Sequence, residues 1–322
     1  PRTLVACTLL MILILANLPR RASVAPAALN RIDANSVDNS TEHPILTQTV
    51  NDFRLTDHRG NEFSFTSFRD ARLTVIAFLG TECPLAKLYG ARLEALSQEY
   101  RKRGVKFVGI CSNAQDSQQD VTDFARRHQI NFPVLKDRQH QVADQLKAIR
   151  TPEVFLLDHD RRVVYWGRID DQYAIGIKKS EPQRSDLKIA IDESLAGNTV
   201  SVPIAESVGC HIGRIEQPVS KADLTFHEHI APLLNKHCVN CHRKDNIAPF
   251  ALLDYNEVVG WAPMIREVVA EDRMPPWFAN PEHGAFKNDA RLSSVEKANL
   301  LRWIDSGCPQ GQQDSVARQA VL

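Results

Sequence analysis

The chain carries no excess charge of either sign: 39 Lys and Arg balance 39 Asp and Glu over 322 residues. That balance excludes the basic footprint of a nucleic-acid binder and gives no pull toward an anionic membrane surface. Methionine is scarce, with three residues in all, so any role that needs a thioether has few candidates. Nowhere do two closely spaced pairs of Cys or His supply the four ligands of a zinc knuckle.

One long apolar run is present, at residues 3–18, and it holds no charged side chain. Arg2 precedes it, and Ala22, Ala25, Ala27 and Ala28 follow, the pattern of an export signal with its cleavage region. Residues 1–28 are therefore expected to be a signal peptide, or a membrane anchor if retained, since the run lies near the lower limit of a spanning helix. Because the sequence opens on Pro1, the natural N-terminus is expected upstream. Residues 29–44 are polar and read as a disordered linker. These features predict an exported, periplasmic protein.

The stretch that stands out chemically is Cys238-Val239-Asn240-Cys241-His242. C-x-x-C-H is the attachment pattern of a c-type haem. Two thiols at this spacing bond one edge of the porphyrin, and the adjoining histidine reaches the iron from the proximal side. One covalently attached haem c is expected, held by Cys238 and Cys241 with His242 on the iron. Export agrees with this, because such haems are attached outside the cytoplasm.

Upstream, residues 45–197 alternate strand and helix. Short alternating strands at 53–55 and 63–65 flank the turn His58-Arg59-Gly60-Asn61. The apolar run at 73–79 reads as a buried central strand, and Gly80-Thr81-Glu82-Cys83-Pro84 leads from it into a helix over 85–103. Further strands are predicted at 105–110, 132–135, 153–157 and 163–166, with helices at 116–128, 139–148 and 186–195. This succession predicts an α/β domain with a central mixed sheet flanked by helices.

The order resembles the thioredoxin-like superfamily, in particular redoxins related to alkyl hydroperoxide reductase and thiol-specific antioxidant. The resemblance implies that Cys83, at a strand end and helix start, is the active thiol. A helix N-terminus favours thiolate over thiol. It also implies that Thr151-Pro152 is the cis-proline loop facing that thiol, making Pro152 the second catalytic position. The sequence departs from both known mechanisms. Ala86 stands where a dithiol redoxin has its second cysteine, and Gly80 and Ile76 stand where a peroxiredoxin has Thr or Ser and Pro. Cys111, at the end of the 105–110 strand, reads as a buried cysteine, with resolution of an oxidised Cys83 as the alternative role.

Residues 198–222 read as a connector, and 223–311 as a mainly helical domain with helices at 223–237, 261–271 and 293–306. Ser293 and Glu296 form a capping-box pattern, and 312–322 is a polar tail. A helix entering C-x-x-C-H and a terminal helix after a long loop resemble the cytochrome c fold. Met274, in the stiff loop Arg273-Met274-Pro275-Pro276-Trp277, is the expected distal iron ligand, with His229, His237 or His283 as alternatives. Cys210 and Cys308 flank this domain and are a candidate disulfide.

The expected function is that of an exported oxidoreductase joining one-electron haem chemistry to a thiol-, disulfide- or peroxide-reactive Cys83. The alternative is an electron-carrying cytochrome whose redoxin domain only docks partners. A haem peroxidase, with Arg273 over an open iron site, is a weaker third reading. Expected partners are an electron-transfer protein or quinone-linked chain and a small thiol, disulfide or peroxide.

Overall fold

The computed structural model describes residues 45–46, 48–215, 223–279, 281–284 and 286–312. The expected export segment, the polar linker and residues 313–322 of the tail lie outside the described residues. No helix among the described residues is long and apolar enough to cross a membrane.

The apolar run after Arg72 becomes strand β3, and its neighbours follow from where apolar residues cluster. In chain order the strands are β1 (Arg54–Asp57), β2 (Glu62–Ser64), β3 (Leu73–Phe78), β4 (Val105–Cys111), β5 (Val134–Lys136), β6 (Arg150–Thr151), β7 (Glu153–Leu157), β8 (Val163–Gly167), β9 (Tyr173–Ala174), β10 (Ile177–Lys178), β11 (Ile204–Ala205) and β12 (Cys210–His211). Eight of them form one mixed sheet in the order β11-β8-β7-β3-β4-β5-β1-β2. β3, β4 and β5 run parallel, whereas β7 pairs antiparallel with β3.

Every residue of β3 is buried, because both faces of the strand are covered. Leu73, Val75 and Ala77 join an apolar cluster with Ala86, Tyr89 and Leu93 of helix α1 (Pro84–Arg101) and Val121 and Phe124 of α2 (Gln118–Arg127). Ile76 and Phe78 face the opposite way, toward Val142 and Leu146 of α3 (Gln141–Leu146) and the aromatic group Phe53, Phe63 and Phe65. Leu187, Ala190 and Ile191 of α4 (Asp186–Leu195) complete the first face. The predicted domain is therefore a thioredoxin-like α/β fold, with central elements within a few residues of their expected positions.

The connector departs from expectation, since it belongs to the sheet system. β11 extends the main sheet by pairing parallel with β8, and β12 pairs antiparallel with β6. Beyond it, a π-turn over Phe226–Ile230 leads into α5 (Ala231–His237), followed by α6 (Tyr255–Ala270) and α7 (Ser294–Asp305). Helix α6 starts earlier than predicted because the Asp254 side chain accepts the Glu257 N–H at 2.9 Å, a cap that sequence periodicity missed. Ser293 and Glu296 form the predicted capping box on α7.

The helical region is held by Phe226, whose ring meets Tyr255 at 5.4 Å and Trp303 at 6.0 Å. Trp303 is fully buried and donates its indole N–H to the Pro309 carbonyl at 3.0 Å. The apolar cluster of the first sheet face continues without a break through Cys210 into Ile230, Val258 and Trp303. Trp303→Ala is expected to cost about 3–5 kcal/mol, read as a lower urea midpoint at an unchanged slope.

Candidate functional site

Cys83 is placed by three constraints. Strand β3 ends at Phe78, so residues 79–83 must turn back into α1, and Cys83 caps that helix with Pro84 at its first position. Proline suits this position, since its missing N–H would have no helical partner. The turn is fastened from below by Asp116, a buried carboxylate that accepts the Thr81 N–H at 3.0 Å and the Thr81 hydroxyl at 2.8 Å. The same carboxylate accepts the Cys111 thiol at 3.0 Å and the Asn113 amide at 2.9 Å. Cys111 is thus a buried thiol bonded to Asp116, and burial and that charge push its pKa well up.

Gly80 has a steric reason. A Cβ there would meet Asn113 Nδ2 at 2.6 Å, Thr151 Oγ1 at 3.0 Å and Cys83 Cβ at 3.3 Å. A side chain here, such as the Thr or Ser of a peroxiredoxin, would have to displace the Asn113 amide.

Opposite Cys83 lies the Thr151–Pro152 loop, whose peptide bond is cis. The Cys83 thiol donates to the Thr151 carbonyl at 2.9 Å. The far side of this loop is covered by the connector. β12 runs antiparallel to β6 with Cys210 opposite Thr151 and His211 opposite Arg150. Gly209, at φ +151°, makes this approach possible: a Cβ there would lie 2.1 Å from the Thr151 carbonyl oxygen. Ser207 ties the approach down by donating to the buried Glu153 carboxylate at 3.0 Å. Farther on, Gly213 packs against the Gly260 carbonyl of α6 and donates its N–H to Asn113 Oδ1 at 3.0 Å.

This path brings Cys210 to Cys83. Burial raises the Cys83 pKa, but the polar groups of Cys210, Ala86 and Thr151 around the sulfur outweigh it and lower it below the ordinary thiol value. Cys210 moves the opposite way, raised by its bond to Cys83, by burial and by the Cys83 charge. The expected Cys210–Cys308 disulfide is not formed. Cys210 is committed to the β6 edge, whereas Cys308 is buried after α7 with its N–H on the Trp303 carbonyl.

The AhpC/TSA family profile matches residues 46–166. These residues form an AhpC/TSA thioredoxin-like redoxin domain. Over 115 residues the chain is 30% identical to the thiol-disulfide oxidoreductase ResA of Geobacillus kaustophilus, a match covering 36% of this chain and 64% of ResA. Over 93 residues it is 29% identical to the peroxiredoxin Bcp of Escherichia coli, covering 29% of this chain and 58% of Bcp. A hypothetical protein of Sinorhizobium meliloti 1021 superposes with a TM-score of 0.49 at 32% identity, covering 54% of this chain and 95% of that one. The redoxin match stops at residue 166, so Cys210 lies outside it.

One carboxylate ties several segments together where the redoxin domain meets the helical region. Glu267 of α6 accepts from Arg150 Nη2 at 2.9 Å, from His211 Nε2 at 2.6 Å and from Arg273. Arg273 also pairs with Glu271, so it is engaged by two carboxylates of its own region.

The C-x-x-C-H stretch follows α5 directly. His242 Nδ1 donates to the Phe250 carbonyl at 3.2 Å, which fixes the ring and leaves Nε2 as the outward nitrogen. Burial lowers the His242 pKa against that bond, favouring the neutral form that ligates metals. Burial and the neighbouring Cys241 raise Cys238 to about 11, while Cys241 is exposed. Among the described residues no three His, Cys, Asp or Glu converge as a metal-ion site. The flanking loops display Ile247 (85% exposed), Met274 (40%) and Phe278 (98%), more large apolar side chains than loops usually show to water. The buried indole N–H of Trp277 has no hydrogen-bond partner among the described residues. Two thiols, an oriented imidazole and apolar surface fit a covalent haem.

The alternative distal ligands differ in availability. His237 is engaged at both nitrogens, by the Ala290 carbonyl and Glu296. His229 accepts the Thr225 N–H at Nδ1, and His283 lies in a single exposed 3₁₀ turn. Met274 keeps its thioether in the loop after α6, its N–H on the Val268 carbonyl at 3.1 Å.

Sequence reasoning missed Cys210 as the neighbour of Cys83, and missed Asp116, Glu153 and Glu267. The glycines bracketing Gly209-Cys210-His211-Ile212-Gly213 were the available signal, since paired glycines mark close backbone approach.

The Glu267 junction is pH-sensitive. Burial raises its pKa, but Arg150, His211 and Arg273 overcome that and hold it at about 2. A depressed carboxylate contributes stability that is full above the unfolded value of about 4.3. It fades as pH falls from there through about 2. Urea titrations of wild type and Glu267→Gln should therefore differ most above pH 5 and converge toward pH 2.

Proposed function

We propose that this protein is an exported thiol-disulfide oxidoreductase whose redoxin domain attacks substrate through Cys83, joined to a covalently bound haem c. The observation that carries the reading is the place of Cys83: it caps the start of α1 and its thiol meets the Thr151 carbonyl, next to Pro152, at 2.9 Å, where hydrogen bonds lower its pKa against burial. A lowered pKa favours the thiolate, the form that attacks a disulfide sulfur. In that attack Cys83 bonds one substrate sulfur as the substrate S–S bond breaks, and the departing thiolate takes a proton. The names of the relatives support this class of chemistry. Disulfide is favoured over peroxide because Gly80 lacks the hydroxyl side chain of a peroxiredoxin.

Cys238 and Cys241 would hold the haem and His242 would ligate its iron, with Met274 as the distal ligand. When bound, the group supplies one-electron transfer at a potential raised by His/Met ligation. The chain's contribution is to orient His242 through the Phe250 carbonyl and to offer the apolar side chains of the flanking loops. Partners in this reading are an electron-transfer protein and a disulfide or thiol substrate. The apolar segment at 3–18 supports export.

A second reading, an electron-carrying cytochrome with the redoxin domain as a docking module, is favoured by one feature: Cys83 is 0% exposed. Thiolate ultraviolet absorbance, taken as reduced wild type minus Cys83→Ser, decides between them. A midpoint well below the free-thiol value of about 8.5 is expected, and one at or above that value would leave only the docking role.

The haem is tested separately. Protein matured with the c-haem attachment machinery should show a reduced-minus-oxidised haem spectrum that survives denaturation and is lost in Cys238→Ala/Cys241→Ala. Haem released on denaturation would overturn covalent attachment.

A further inference from the structure

Cys83 lacks the second thiol that a dithiol redoxin carries on the same helix, since Ala86 occupies that place and is fully buried. Yet a second thiol is present, delivered from a different part of the chain. Cys210 sits on β12 directly opposite Thr151 of β6, the residue whose carbonyl accepts the Cys83 thiol at 2.9 Å. Both sulfurs are buried, Cys83 at 0% and Cys210 at 9% exposure.

We infer that Cys83 and Cys210 are the redox pair of this protein, closing to an intramolecular disulfide in each catalytic cycle. The inference rests on the reading of Cys83 as the reactive thiol and adds the group that resolves it.

Three features of the chain serve this juxtaposition. Gly209 lets the strand cross within contact of the Thr151 carbonyl and Pro152 Cδ, where any Cβ would collide. Arg150 holds the Gly209 carbonyl at 3.0 Å and places its guanidinium beside Cys210. His211, the next residue, is fixed by Glu267 at 2.6 Å, so the strand is held from both sides. Cys111, the other buried thiol nearby, is bonded to Asp116 and offers no comparable approach.

The chemistry balances with a substrate disulfide as oxidant. Cys83 thiolate attacks one substrate sulfur, forming a mixed disulfide, and the other substrate sulfur leaves and is protonated. Cys210 gives up its thiol proton and attacks Cys83 Sγ. The Cys83–Cys210 bond forms, the Cys83–substrate bond breaks, and the second substrate sulfur leaves as a thiolate that takes a proton. The substrate gains two electrons from the two protein sulfurs and two protons, one from Cys210 and one from solvent because Cys83 enters as the thiolate. Timing is built in, because the leading causes of the raised Cys210 pKa are its bond to Cys83, burial and the Cys83 charge. Formation of the mixed disulfide removes that charge, so Cys210 becomes a better nucleophile when it is needed.

The test is to equilibrate the reduced full-length protein with oxidised glutathione, quench by alkylation and map disulfides by peptide mass. Wild type should give a Cys83–Cys210 linked peptide and little glutathione adduct, and Cys308→Ser should behave identically. Cys210→Ser should instead accumulate glutathione on Cys83, at least tenfold above wild type. A wild type that holds glutathione on Cys83 with Cys210 alkylated would overturn the pair while leaving Cys83 reactive. Absence of both the adduct and the linked peptide in every variant would overturn the reactive-thiol reading and the pair with it.

Discussion

The arrangement depends on one short antiparallel contact, β12 laid along β6. Only two residue pairs make up its register, Cys210 with Thr151 and His211 with Arg150. Four separate parts of the chain meet there: the helix cap at Cys83, the cis-proline loop, the connector and helix α6. Two backbone strands can approach this closely only where no Cβ intervenes, which accounts for Gly209 over Thr151 and Gly213 against Gly260. Remove that contact and Cys83 keeps its helix N-terminus but loses its neighbouring thiol, its cover and its link to the helical region.

The electrostatics of the junction follow the same logic. Glu267 is a partly buried carboxylate that three donors from different segments converge on: Arg150 from β6, His211 from β12 and Arg273 from the loop after α6. A buried carboxylate is costly unless paired and hydrogen-bonded, so the cluster fixes the three segments relative to one another more than it adds net stability. Arg273 adjoins Met274, and His211 adjoins Cys210. The loop bearing the candidate iron ligand and the strand bearing the second thiol are therefore anchored to a single side chain. Asp116 plays the matching role beneath Cys83, gathering the Thr81, Cys111 and Asn113 donors that shape the active turn.

The redoxin fold was legible because its signals are local. Residues 73–79 announce a strand buried on both faces, and the turn ending in Cys83-Pro84 announces a helix start. The Ser293/Glu296 capping box and the C-x-x-C-H stretch are equally local, since each is defined by spacing within five residues. The less legible elements were those with weak local patterns. The β6, β11 and β12 strands are two residues each, too short for alternation to show. The start of α6 was hidden because the Asp254 cap lies well upstream of the apolar positions that marked 261–271 as helical.

The sequence by itself determined the chemistry that is possible: a thiol at a helix cap, a proline to face it, and two thiols with an imidazole spaced for haem. It did so because those groups are placed by backbone geometry over a few residues. Only the tertiary structure decided which cysteine keeps company with Cys83. Paired with Cys308 on flanking position alone, Cys210 instead reaches the far end of another domain. The physical reason is that strand pairing between distant segments is set by exposed backbone edges and by steric room at glycines. Neither quantity is written in the spacing of cysteines along the chain.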